Sequence, residues 1–136
     1  VGGTLAGNAL SIAAMRATLE HVLTPGAFEG MIALAHRFTD GVRGALAEHG
    51  VPWHIVRLGA RAEYGFSPQP PRTGGEAARA ADPELEEYMH LFALNRGILM
   101  TPFHNMALMS PATTEADVNR HTEVFAAALD ELFQAG

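Results

Sequence analysis

The chain has 136 residues, 48% of them hydrophobic, and a formal net charge of −6 with nine arginines and no lysine. That size and apolar content suffice for one compact domain, and the acidic balance argues against a nucleic-acid or anionic-membrane surface as the main role. Without cysteine there is no disulfide framework, no thiolate metal site and no cysteine nucleophile.

The first residues, Gly2-Gly3-Thr4-Leu5-Ala6-Gly7-Asn8, precede an apolar-periodic run. Paired glycines allow close backbone approach and positive φ. Backbone N–H groups and a Thr hydroxyl ahead of a helix suit an anion, above all a phosphate. Gly-Gly-Thr is also an ordinary turn, and the residues alone leave both readings open. No basic leader precedes this stretch, no signal peptide is expected, and Val1 reads as a position inside a longer chain. No apolar run reaches the roughly 18 residues that span a bilayer.

Residues 9–23 are expected to form a helix capped by Asn8, with Ile12, Met15, Leu19 and Val22 as a stripe at spacings of three and four. Thr24-Pro25 ends it and opens a second helix, since Pro fits a first helical position. That helix runs to about His49, with Phe28, Met31, Ala35, Phe38, Val42 and Ala45 on one face and Gly50 as its terminator. Gly41 and Gly44 weaken its middle and point to close packing. Residues 53–58 read as a strand, with Gly59 as a bulge. Residues 61–66 read as a second strand, with Ala62, Tyr64 and Phe66 on one side. Residues 67–82 carry Pro68, Pro70, Pro71, Gly74 and Gly75 and read as a long loop.

Asp82-Pro83 repeats the cap-plus-proline signal for a helix with Leu85, Met89 and Phe92 inside, closing at Asn95-Arg96-Gly97. Ile98 to Thr101 is expected to be a short strand, Pro102 to Asn105 a turn, and Met106 to Met109 a neighbouring strand. Thr114 to Asp117 resembles a capping box, and a final helix buries Val118, Phe125, Leu129 and Leu132. The order predicts an α+β domain, with helices packed on a small, mostly antiparallel sheet.

Candidate chemistry is sparse. The histidines show no ligand spacing, and no metal site is expected. His104 stands out because a turn between apolar strands often faces a pocket. Ser11 and Ser110 lack an adjacent base, and Glu84, Glu86 and Glu87 are explained by the helix dipole. Most methionines fall on buried faces, with Met106 set apart in the same turn region as His104. Arg96 is either a helix-terminal cation or a bidentate carboxylate clamp, with Arg61 and Arg72 as rivals.

Three segments together carry a resemblance. Gly2-Gly3-Thr4-Leu5-Ala6-Gly7-Asn8-Ala9-Leu10, Leu94 to Pro102, and Ser110 to Val118 resemble, in this order, the signatures of class III, fold type I, pyridoxal-phosphate aminotransferases. Within that family they are most similar to the glutamate-1-semialdehyde aminomutases and β-amino-acid aminotransferases. Ala9 stands where the family usually has Pro.

The resemblance implies the C-terminal third of an aminotransferase subunit. Residues 1–24 would end the cofactor-domain region and form a connecting helix, and residues 25–136 would be the small C-terminal α+β domain. Thr4, with the Gly3 backbone beside it, would hold the phosphate of pyridoxal 5'-phosphate bound by the other subunit of a homodimer. The turn of His104 to Met106 would line the substrate pocket. Met106 stands where the aminomutases commonly have an acid, which favours ordinary transamination. An Arg of this region would hold the substrate carboxylate, and Arg96 is nearest the turn in sequence. The expected setting is cytoplasmic, with small amino acids and keto acids as partners and neither nucleic acid nor membrane.

Such chemistry needs a lysine to form a Schiff base with the cofactor. This chain has none, so it supplies no catalytic residue and is expected to be inert alone, with the lysine in about 290 further residues on a usual subunit scale. The alternatives are a free-standing, non-catalytic interaction domain and a piece of an aminomutase.

Overall fold

The computed structural model describes residues 7–101 and 105–134. Its elements are helices α1 (Ala9–His21) and α2 (Pro25–Glu48), strands β1 (His54–Leu58) and β2 (Arg61–Gly65), helices α3 (Gly74–Ala80) and α4 (Pro83–Leu94), strand β3 (Met106–Leu108) and helix α5 (Glu115–Gln134). The strands form one antiparallel sheet in the order β1-β2-β3.

Local chemistry sets most boundaries. The Asn8 side chain accepts from the N–H groups of Leu10 and Ser11 and starts α1. Thr24 and Asp82 cap α2 and α4, each followed by Pro at the first turn. Gly50, at φ +64°, ends α2 with N–H bonds from Gly50 to Ala47 O and from Val51 to Leu46 O. Gly97, at φ +81°, closes α4 in the same way, through Leu94 O and Ala93 O. These paired bonds satisfy carbonyls that the helix end would otherwise leave open.

Helices α2, α4 and α5 share one core with the inner face of the sheet. Phe38 and Val42 of α2, Ile55 of β1, Ala62 and Tyr64 of β2, Met89 and Phe92 of α4, and Phe125 and Leu129 of α5 are all buried in it. Each large apolar side chain withdrawn from water in this way contributes about 1.5–3 kcal/mol. Ile55 faces Tyr64 across the ladder, and directly opposed residues share a sheet face. The Tyr88 hydroxyl donates to Ala128 O and ties α4 to α5. Gly41 allows α2 and α5 to touch, because a Cβ there would collide with the Thr122 side chain.

The stripe of α1 is open: Ile12, Met15, Leu19 and Val22 are 46%, 58%, 59% and 47% exposed, and α1 buries no residue. Phe28, at the start of the α2 face, is also exposed. Several expectations are corrected. Gly44 meets open space rather than a neighbour. Gly59 is no bulge. With φ +58° it is the first central residue of the two-residue turn joining Leu58 to Arg61, the position that a type II′ hairpin turn reserves for Gly. The long loop contains α3, capped by Thr73. Ile98 to Thr101 forms no strand, because no described segment pairs with it.

The outer face of the sheet is open, with Val56, Leu58 and Leu108 exposed. No described helix is long and apolar enough to cross a membrane.

Candidate functional site

Of the residues singled out by sequence, Gly3, Thr4 and His104 lie outside the described residues. Arg96 and Met106 are described, and the fold sends them to different places.

Arg96 closes α4. Its Nη1 donates to Phe92 O at 3.2 Å, its guanidinium carbon lies 3.4 Å from the centre of the Phe92 ring, and its Nη2 is 3.8 Å from Glu131 Oε2. This is the geometry of a cation serving the open carbonyls of a helix end, with a cation–π contact added.

Met106 begins β3, opposite Glu63. It lines a cleft of about 250 Å³ together with Phe38, Met100, Thr113, Asp117 and His121. His121 and Glu131 are both on α5, ten residues apart, so these two positions stand roughly 15 Å from one another along the helix. Arg96 belongs with Glu131 and Met106 with His121.

Two polar groups at the cleft are already used. Thr113 Oγ1 accepts from Ser110 N at 2.9 Å. Asp117 Oδ2 accepts from Thr114 N at 2.8 Å and from Thr114 Oγ1 at 2.7 Å, while Asp117 N donates back to Thr114 Oγ1 at 3.2 Å. This reciprocal cap starts α5, as the sequence predicts. The Thr114 hydroxyl, then its backbone N–H, hold the Asp117 carboxyl below its ordinary pKa.

His121 differs from these. Its ring is buried, 4.3 Å from the Phe38 ring centre and 5.9 Å from that of Phe125, and its Nδ1 has no hydrogen-bond partner. Burial lowers its pKa from 6.5 to about 4, so the ring is neutral near pH 7. Sequence reasoning passed over it for want of ligand spacing. A signal was present: His121 occupies a core position of the stripe Val118, His121, Phe125.

His49 shows the opposite balance. Its Nδ1 lies 2.7 Å from Ala45 O and its Nε2 3.0 Å from Asp130. The Ala45 carbonyl first, then Asp130, raise its pKa above 6.5. Among the described residues no cluster of three His, Asp or Glu could hold a metal ion.

No family model matches the chain. It is 35% identical over 131 residues to the glutamate-1-semialdehyde 2,1-aminomutase of Thermomicrobium roseum, which covers 96% of this chain and 30% of the relative. A glutamate-1-semialdehyde-aminomutase from Pseudomonas aeruginosa PAO1 superimposes with a TM-score of 0.94 at 52% identity, over 97% of this chain and 29% of that one. A variant of that enzyme has been solved in complex with PMP. The β-phenylalanine aminotransferase of Variovorax paradoxus shares the fold, with a TM-score of 0.78 at 24% identity over 99% of this chain and 31% of that one. The chain thus spans about 30% of the length of the curated relatives it matches. Over nearly its whole length it matches the C-terminal portion of glutamate-1-semialdehyde aminomutases and class III transaminases.

Proposed function

We propose that this chain serves a pyridoxal-phosphate-dependent enzyme that moves an amino group between an amino acid, β-amino acids included, and a keto acid. The observation that carries the reading is the 52% identity and 0.94 TM-score to the Pseudomonas aeruginosa aminomutase across 97% of the chain. In this reading residues 1–24 end the cofactor-domain region and lead into the small domain of residues 25–136. Gly3 and Thr4 contact the cofactor phosphate across a homodimer, and Arg96, His104 and Met106 serve the substrate side. The setting is cytoplasmic.

The described residues do not by themselves fit the cofactor. The Asn8 side chain, next to the phosphate motif, is spent on capping α1. The chain has no lysine to hold a carbonyl cofactor covalently, and no reaction step is assigned to its residues. The cofactor, when bound, supplies the electron sink for amino transfer.

The reading frame upstream of Val1 tests the proposal. It should encode the lysine, and a frame without one would refute the reading. The chain alone, treated with pyridoxal phosphate and borohydride, should carry no label on any internal residue. A non-catalytic interaction domain would instead run as a monomer in size-exclusion chromatography, whereas the exposed stripe of α1 favours self-association of the isolated chain.

Isomerisation within one molecule is the second reading, favoured by the higher identity to the aminomutase than to the transaminases. Met106 at the pocket turn favours transfer between two molecules. Turnover of glutamate-1-semialdehyde by the whole protein, without an added amino donor or acceptor, would select the aminomutase.

A further inference from the structure

The cleft beside β3 has features that the amino-transfer reading does not use. Its volume is about 250 Å³, and an apolar cavity of about 150 Å³ is enough to take up benzene. Phe38, Ile98, Met100, Met106 and Val118 make most of its wall apolar. Thr113 and Asp117 have their hydrogen bonds to Ser110 and Thr114. His121 lines the same cleft, is only 6% exposed, and has a ring nitrogen without a partner. Buried polar atoms are nearly always paired, so such an atom marks a place where a partner belongs.

We propose that this cleft binds a small, uncharged, mostly apolar molecule bearing one hydroxyl or similar hydrogen-bond donor, and that the His121 imidazole accepts that hydrogen bond. The apolar wall gives the affinity and the imidazole sets the orientation. The neutral ring offers one acceptor nitrogen. A half-turn about its Cβ–Cγ bond exchanges the ring edges, so either nitrogen can meet the ligand. An anion would meet the Asp117 carboxylate on this wall and no cation, which selects against negative ligands. The cleft shares Met106 with the proposed substrate side, and the inference goes beyond the amino-transfer reading because it turns on His121, which that reading does not use.

Phenol is the probe, and benzene is the same ring without the donor. In protein labelled with 15N-histidine at pH 7, phenol should saturably shift the ring nitrogens of His121 and leave the other histidines in place. The phenol-to-benzene affinity ratio should be about two- to tenfold higher in the wild type than in His121→Phe, the range of one net hydrogen bond. That variant keeps an aromatic ring between Phe38 and Phe125. If it does not fold, the histidine shifts in the wild type still decide the matter. No saturable shift, as expected if ordered water or another part of the protein fills the cleft, would overturn the proposal. So would an equal phenol-to-benzene ratio in the two proteins.

Discussion

Replacing His121 with phenylalanine should remove a large part of the protein's loss of stability in mild acid. The folded chain holds this imidazole at a pKa of about 4, against 6.5 for the free side chain, because it is buried between Phe38 and Phe125. The sign follows from proton counts. Above pH 6.5 the ring is neutral in both states and contributes no pH dependence. Below it the unfolded chain binds a proton that the folded chain refuses, so stability falls as pH falls. The full shift corresponds to about 3 kcal/mol. Linkage places somewhat under half of this loss by pH 5.5 and most of it by pH 4.5. Urea denaturation of wild type and His121→Phe at pH 7.5, 5.5 and 4.5 would measure it. Other groups, Asp117 one turn away among them, titrate in both proteins and cancel in the difference. Parallel losses in the two proteins would refute the reasoning, whatever their absolute stabilities.

Gly41→Ala should cost about 1–3 kcal/mol through collision with Thr122, and Thr122→Ala in the same chain should recover most of it in thermal melts. Thr114→Ala should cost about 1 kcal/mol by uncapping α5, and NMR titration should show the Asp117 pKa returning toward its ordinary value. His49 acts in the opposite sense to His121. Its raised pKa stabilises the fold below pH 6.5, and this contribution is lost as pH rises through the folded value. Asp130→Asn should therefore flatten the pH dependence of urea stability above pH 6.5.

Where a residue's role is local, the sequence announced it. Asn8, Thr24-Pro25, Gly50, Asp82-Pro83 and the Thr114–Asp117 pair act within a few positions of themselves, and each boundary they mark is present. The alternation of Ala62 and Tyr64 likewise survives as a buried sheet face. The failures concern partners. The apolar run of residues 98–101 is suited to a strand, but does not show what would pair with it. The helix inside the long loop was hidden by its glycines and prolines, although Thr73 and Glu76 carry a cap signal. Met106, singled out beside a turn, begins β3 and lines the cleft. His121 was missed because a polar residue on a core stripe becomes informative only once its neighbours leave it unpaired.

The bare stripe of α1 bears on how the chain behaves in solution. A helix of thirteen residues is marginal in water when no face is packed, since its first turn is costly to form. Its helicity is then conditional on company. Whatever settles on Ile12, Met15 and Leu19 would also stiffen the backbone beneath them, so amide protection along residues 9–21 would serve as a built-in gauge of assembly.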